Sequence, residues 1–181
     1  NLNHKFEDIV EYPAIKGRIN YLNKIMEISK SKEPIDYFKS VILFSMFMEN
    51  VSLFSQFFII MSFNKHQKTL KGISNAVEAT SKEENIHAQF GFDLVNIIKE
   101  ENPHFWTEEL KDELKQFTEK AFKAEQGIVD WIFEMGDLDF VDKKTCIEFI
   151  KNRFNESLEA IGMDKMFEVN ENILLETEWF D

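Results

Sequence analysis

The stretch between Lys39 and Lys65 constrains the fold of this chain more than any other part of its sequence. Apart from Glu49, near the middle, no residue in that stretch carries a charge, and most are apolar. A helix that is apolar on all sides either crosses a membrane or lies at the centre of a helical bundle. A carboxylate at bilayer depth is costly, and several serines accompany Glu49. We therefore predict a soluble protein, without a membrane span, whose bundle buries this helix.

The remaining sequence favours long helices with few connections. Its 181 residues suffice for one domain with its own core, and they include only six glycines and three prolines. Prolines at first turns, capping residues and terminal glycines mark the ends of the predicted helices. These helices cover about residues 13–30, 35–63, 69–101, 107–135 and 142–161. We expect a single all-α domain over residues 1–181, irregular at 1–12 and irregular or shortly helical at 163–181.

The composition excludes some classes of function. A net charge of −12 repels a phosphate backbone, so nucleic-acid binding is not expected. Cys146 has no second cysteine with which to form an intrachain disulfide, and this favours a reducing cytoplasm. We expect Cys146 itself to be a small buried apolar residue. The nineteen phenylalanines predict apolar surface beyond the core that a partner covers.

Glu84-Asn85-Ile86-His87 is a Glu-x-x-His motif within the predicted helix 69–101. Side chains three positions apart lie on the same face of a helix, so Glu84 and His87 can reach a common point. Helical bundles that hold two metal ions use this motif together with carboxylates from neighbouring helices. The motif alone is a weak signal, because Glu and His also occur at this spacing on solvated helices.

The position of Glu49 strengthens the motif. A buried carboxylate is costly unless it is paired or binds a metal ion. The helix from Glu49 to the predicted turn near residue 66 is ~26 Å long, and the helix from that turn to Glu84 is ~27 Å long. Because the two lengths are nearly equal, an antiparallel hairpin returns Glu84 and His87 to the level of Glu49. We therefore predict a metal site formed by Glu49, Glu84 and His87.

These three residues make up half of a di-metal ligand set. A complete set has a carboxylate from each of two helices and a Glu-x-x-His motif from each of two others. The Glu156–Glu159 segment lacks a histidine, and Pro103 ends the helix within the Glu101–His104 segment. His4 and His66 have no carboxylate at helical spacing, and we expect both of them, and His104, to be exposed. The missing ligands must come from another chain or from residues absent from this sequence.

Beyond these ligands, the sequence resembles the small subunit of class I ribonucleotide reductase. In residues 48–57, Glu49 is followed at one and two helical turns by Leu53 and Phe57. This segment is similar to the family's third ligand helix, where apolar residues around the radical site follow a ligand glutamate. Residues 82–87 resemble the fourth ligand helix, where basic and acidic residues precede the Glu-x-x-His motif. Further segments that resemble the family are residues 6–10, 124–131, 150–162 and 178–180.

This resemblance implies a ferritin-like helical bundle, of which the chain holds the C-terminal part. The family's front half contains another ligand Asp or Glu, the first Glu-x-x-His motif and a tyrosine next to the metals. None of Tyr12, Tyr21 or Tyr37 lies where that tyrosine would, so no radical residue is assigned. The family has an Asp on its radical-transfer route just before the ligand Glu of the fourth helix. Glu83 occupies that position, and the resemblance implies that role for it.

The resemblance also implies a function, cofactors and partners. The assembled protein would support the reduction of ribonucleotides to deoxyribonucleotides, with two iron ions, or manganese in place of one or both, activating oxygen and generating a radical. Glu49 would be a bridging or terminal ligand, Glu84 a bridging ligand and His87 the terminal nitrogen ligand. The expected partners are a companion chain with the front half of the small subunit, a second copy of the small subunit, and the large catalytic subunit. The last binds a tail beyond Asp181, so we expect the chain alone to be inactive.

Three alternatives stay open at this point. The front half can belong to the same, longer polypeptide instead of a companion chain. Two copies of the hairpin can complete a site by two-fold symmetry, as in a ferritin-like metal-storage or oxidase protein. The long helices beyond residue 105 and the phenylalanines near Glu49 fit that second class poorly. The third alternative is a helical adaptor with an incidental Glu-x-x-His motif.

Overall fold

The computed structural model of the chain describes residues 8–180, and within that range every regular element is helical. An isolated β-bridge joins Leu138 and Val141. His4 and most of the predicted irregular segment at 1–12 lie outside the described residues, as do Phe6 and Glu7 of the segment 6–10 and Asp181. The expectation of an all-α fold is confirmed for the part of the chain that the structure describes.

Seven α-helices of this range, a π-helical turn and two 3₁₀ turns follow one another along the chain. They are α1 (Pro13–Ile28), α2 (Pro34–Leu43), the π-helical turn (Phe44–Glu49), α3 (Phe54–Gln67), α4 (Lys71–Glu101), a 3₁₀ turn (Pro103–Phe105), α5 (Glu108–Ile132), α6 (Lys143–Ala160), α7 (Glu171–Leu174) and a 3₁₀ turn (Glu178–Phe180). Helix α1 packs on α5, α3 packs on α4, and α5 packs on α6. Helix α2 and the π-helical turn both contact α4.

The helix ends follow the signals in the sequence. Thr107 accepts a hydrogen bond from the backbone N–H of Leu110 at 3.2 Å, and Asp142 accepts one from Thr145 at 2.6 Å. These side chains satisfy amide groups that have no partner inside the first turn of α5 and α6. Beyond the end of α6, Gly162 has a φ of +81°, which a residue with a side chain rarely adopts. The predicted boundaries therefore agree with the structure within a few residues, except in one helix.

The exception is the helix predicted over residues 35–63, which the structure interrupts. After the π-helical turn, residues 50–53 form a turn before α3 begins. The backbone N–H and the hydroxyl of Ser52 both donate to the carbonyl of Phe47, at 2.9 Å and 2.6 Å. Serine and asparagine side chains compete in this way with the regular helical pattern. The prediction of one unbroken helix is therefore wrong, and Ser52 is the local residue that signals the break.

The apolar residues of this segment form the centre of the bundle. By length and composition alone, Pro34–Gln67 could cross a membrane, but 72% of its most apolar window is buried inside the protein. Phe47, Phe54 and Phe58 are each 1% exposed. Among the described residues, Phe90 is the only phenylalanine with an exposed side chain. Of the other described phenylalanines, eleven are buried and six are partly buried, so the prediction of an uncovered phenylalanine surface is wrong for the eleven buried ones.

Candidate metal centre

Two neighbouring elements carry the three predicted ligands. Glu49 is the last residue of the π-helical turn, and Glu84 and His87 lie one turn apart in α4. Because α4 runs back beside α3 and the π-helical turn, it passes Glu49 near its own midpoint. Single π-helical turns inside α-helices are rare and often lie at functional sites. The local geometry therefore places Glu49 at an unusual point of the backbone, facing the Glu-x-x-His motif.

The side chains of Glu49, Glu84 and His87 meet. His87 Nδ1 lies 3.2 Å from Glu84 Oε2 and 3.4 Å from Glu49 Oε2. One ligand atom from each of the three residues lies within 4.8 Å of the other two. This is the convergence that the helix lengths predict. The role of these residues as metal ligands stays a prediction.

The charges at this point are those that a cation would stabilise. Burial raises the pKa of Glu49, and the adjacent carboxyl group of Glu84 raises it further. The hydrogen bond with Glu84 raises the pKa of His87, and the carboxylate of Glu49 adds to that effect. A cation between the two carboxylates would relieve their repulsion. Two carboxylates and an imidazole are suitable ligands for iron or manganese, so these residues fit the metal ions that the resemblance implies.

The site lies at the surface of the described structure, beside apolar residues. The side chain of His87 is 61% exposed, whereas those of Glu49 and Glu84 are 30% and 24% exposed. On the same helix, Ile86 is 68% exposed and Phe90 is 69% exposed. Large apolar side chains this exposed around a charged cluster are typical of a surface that another element covers.

The other predicted site residues lie apart from this cluster or stay untested. Glu83 is exposed on α4, and its role in radical transfer stays a prediction. His104 lies in the 3₁₀ turn after α4 and contacts the ring of Phe105, so Pro103 separates it from Glu101 as expected. Cys146 is fully buried, and burial raises the pKa of its thiol to about 12.

Gly91, one turn after His87, lets α4 approach the π-helical turn closely. A Cβ atom on Gly91 would lie 2.7 Å from the Cβ of Ser45, which is closer than such atoms come in proteins. We expect Gly91→Ala to lower the free energy of unfolding by about 1–3 kcal/mol because it overpacks this contact. Chemical denaturation measures the change. Gly72→Ala is the matched control in α4, since an added Cβ there meets nothing within 4 Å. Equal stability of the two variants would contradict the close approach.

The sequence interpretation missed three buried charged residues, of which Glu125 and Arg153 make the bonds that matter here; the third is Glu148. Glu125 is fully buried, and its carboxylate accepts hydrogen bonds from Arg18 Nε at 2.9 Å and from the Tyr21 hydroxyl at 2.6 Å. Arg153 is 4% exposed and binds residues next to Glu49 and Glu84. Both residues lie among apolar neighbours at helical spacing, and that pattern is the signal that could have revealed them.

Solved structures share this fold. The chain superposes with a TM-score of 0.87 on a Bacillus halodurans protein described as a class I ribonucleotide reductase, at 18% identity, covering 99% of this chain and 64% of that one. It superposes with a TM-score of 0.82 on the ribonucleotide reductase R2 subunit from Clostridium botulinum, at 19% identity, covering 94% and 53% of the two chains. At these identities the likeness shows the fold alone, and it confirms the predicted ferritin-like helical bundle.

Comparison of sequences shows the family. The chain is 29% identical over 149 residues to ribonucleoside-diphosphate reductase subunit beta of Chlamydia pneumoniae, a match that covers 82% of this chain and 42% of that protein. It is 28% identical over 138 residues to the ribonucleoside-diphosphate reductase small subunit 048L of invertebrate iridescent virus 3, covering 74% and 36%. The chain thus spans about two fifths of the length of these relatives. Because residues 1–173 match the family model for the small chain of ribonucleotide reductase, the chain belongs to that family.

Proposed function

We propose that this chain is part of the small subunit of a class I ribonucleotide reductase and supplies half the ligands of its di-metal centre. The observation that supports this most directly is the convergence of Glu49, Glu84 and His87 in a member of that family. The assembled enzyme would reduce ribonucleotides to deoxyribonucleotides for DNA synthesis in the cytoplasm. The fit of two carboxylates and an imidazole to iron or manganese supports the same conclusion.

Glu49, Glu84 and His87 would hold the metal ions in different ways. As the resemblance implies, Glu84 would provide a bridging carboxylate, His87 a terminal nitrogen, and Glu49 a bridging or terminal carboxylate. When bound, the metal pair supplies the oxygen activation and one-electron oxidation that generate the radical. The partial burial of Glu49 and Glu84 limits the water that competes for their oxygens. Glu83, next to Glu84, is the candidate for a contact on the radical-transfer route.

We propose that the other half of the ligand set does not come from residues 8–180 of this chain. Within residues 8–180, Glu49, Glu84 and His87 are the only group of three or more ligand-type side chains that converge in this way. Exposed Ile86 and Phe90 beside them favour further helices packed against this face of α4. We propose a companion chain as the source of those helices, and a longer polypeptide containing both halves is the alternative. The intact mass of the protein isolated from its natural source separates the two.

Two further partners follow from membership of the family. Small chains of ribonucleotide reductase work as dimers with a large subunit. We propose that the assembled protein pairs with a second copy of itself and binds the large catalytic subunit through a tail outside this sequence.

His87→Ala tests the metal-binding function. We expect the assembled protein to lose metal from this centre, because the substitution removes the nitrogen ligand supplied by this chain. The free energy of unfolding should change by less than about 0.5 kcal/mol, since His87 is exposed. Metal content by mass spectrometry and thermal unfolding measure the two quantities.

His104→Ala is the matched control for that substitution. His104 has the same spacing from Glu101 as His87 has from Glu84, but it lies in the 3₁₀ turn after α4. The control should retain its metal. Unchanged metal content in His87→Ala, or an equal loss in both variants, would contradict the proposed site.

A further inference from the structure

Arg153 lies between the two elements that carry the proposed ligands. It belongs to α6, is 4% exposed, and its guanidinium carbon stacks 3.5 Å from the ring centroid of Phe54. A buried guanidinium group is costly unless hydrogen bonds compensate for the lost water. The positions of those hydrogen bonds therefore show what the residue holds in place.

One set of bonds fixes the backbone next to Glu49. Arg153 Nε donates to the carbonyl of Asn50 at 2.6 Å, and Nη2 donates to the side-chain oxygen of Asn50 at 2.5 Å. Asn50 Nδ2 donates in turn to Ser157 Oγ at 2.7 Å. The helical hydrogen-bond pattern is broken at residues 50–53, so the regular helix does not fix this backbone. Arg153 thus replaces the missing helical partner of the residue that follows Glu49.

A second bond fixes the rotation of α4. Arg153 Nη2 donates to the side-chain oxygen of Asn85 at 2.9 Å. Asn85 follows Glu84 directly, and adjacent side chains on an α-helix point about 100° apart. When Asn85 is held against α6, the rotation of α4 about its axis is set, and with it the direction of Glu84. The same guanidinium group therefore contacts a neighbour of each carboxylate.

We infer that Arg153 is a positioning residue, which sets the separation of the Glu49 and Glu84 carboxylates through Asn50 and Asn85. This inference rests on the proposed metal-binding function. The planar guanidinium group can donate to several acceptors in fixed directions, whereas the ammonium group of lysine acts as a point charge. Residues that do not bind the metal themselves but hold its ligands in place commonly change metal affinity about 10–100-fold.

Asn85→Ala tests the inference with little risk to folding, because Asn85 is only partly buried. Mn²⁺ is the probe, and electron paramagnetic resonance of free Mn²⁺ gives its affinity for the purified chain. Three ligands give weak binding in the unaltered chain, and we expect Asn85→Ala to weaken it further by at least about tenfold. Arg153→Lys should weaken it in the same direction, because lysine cannot reach both asparagines with fixed geometry.

Asn96→Ala is the matched control. Asn96 also lies on α4 and also bonds to α6, where its Nδ2 donates to the Ala160 carbonyl at 2.9 Å. Both variants remove one hydrogen bond between the same helices, so their denaturation midpoints should fall by similar amounts. Only Asn85→Ala should lower the Mn²⁺ affinity.

The possible results separate this inference from the proposed function. If His87→Ala lowers the Mn²⁺ affinity while Asn85→Ala and Asn96→Ala bind equally well, Arg153 has no positioning role. If His87→Ala binds Mn²⁺ as well as the unaltered chain, the proposed metal centre itself is wrong. If both His87→Ala and Asn85→Ala lower the Mn²⁺ affinity and Asn96→Ala does not, the results support both the metal centre and the positioning role of Arg153.

Discussion

Replacing Glu125 by alanine is expected to lower the free energy of unfolding by about 3–5 kcal/mol, because the change breaks a buried ion pair. Glu125 is fully buried on α5 and accepts hydrogen bonds from Arg18 and Tyr21, both on α1. Its removal leaves the guanidinium group of Arg18, which is only 14% exposed, without its carboxylate. The substitution therefore weakens the contact between α1 and α5 through an uncompensated charge.

Chemical denaturation followed by circular dichroism measures this loss. Glu119→Ala is the matched control, since Glu119 is exposed on the same helix and its loss should change stability by no more than about 0.5 kcal/mol. Equal stability of Glu125→Ala and Glu119→Ala would show that the buried pair contributes nothing to the fold.

A double substitution separates the cost of burial from the value of the pair. Burial raises the pKa of Glu125, although Arg18 and Tyr21 act in the opposite direction. Taking the carboxyl group out of water therefore opposes its ionisation strongly, and apolar residues of similar volume should replace the pair at little cost. We expect Arg18→Met with Glu125→Leu to be more stable than Glu125→Ala. A double-mutant cycle gives the coupling energy between the two positions.

The convergence of the candidate site could be predicted from the sequence because it depends on helix geometry. The rise per residue of a helix is fixed, and the interruption at residues 50–53 is short, so counting residues still places Glu49 level with Glu84. The solitary charge of Glu49 in an apolar stretch supplied the other half of the prediction. Neither inference needs knowledge of contacts between distant parts of the chain.

The π-helical turn and the break after Glu49 depend on such contacts as well as on the local hydrogen bonds of Ser52. Arg153, about a hundred positions further along the chain, binds the carbonyl of Asn50, and the local sequence does not contain that information. Glu125 is different in kind. Ala121 and Ile128 lie on the same buried stripe of α5, so its burial could be predicted from helical spacing. The pairing of Glu125 with Arg18 could not be predicted from the sequence, because the packing of α1 on α5 is a property of the folded bundle.

The large subunit of ribonucleotide reductase mixed with this chain alone is expected to give no nucleotide reduction. A di-metal centre of this class takes four carboxylates and two imidazoles, and the ligands that we propose in this chain are two carboxylates and one imidazole. Half a ligand set leaves the second metal ion without its own imidazole. We therefore expect the assembled protein to support nucleotide reduction and the chain alone to support none.

Addition of a polypeptide that carries the other half of the set provides the comparison. We expect a second chain with a carboxylate and a Glu-x-x-His motif on helices of matching length to restore both a full metal load and turnover, provided that a tail for the large subunit is present. The same mixture made with His87→Ala should stay inactive, whereas the mixture made with His104→Ala should be active. The comparison of these two variants tests whether the recovered activity depends on the metal centre at His87.

Two outcomes would lead to different conclusions. Turnover by the chain alone would refute the proposal that this chain supplies half of the ligands, because the described residues of one copy bring together only two carboxylates and one imidazole. A full metal pair in the purified chain, bound as a homodimer and without turnover when the other half is added, would favour a ferritin-like storage or oxidase protein. In that assembly the exposed apolar residues Ile86 and Phe90 would be buried against the second copy. Substituting Phe90 by a charged residue would then abolish the homodimer, whereas in the proposed enzyme it would prevent the companion half from binding.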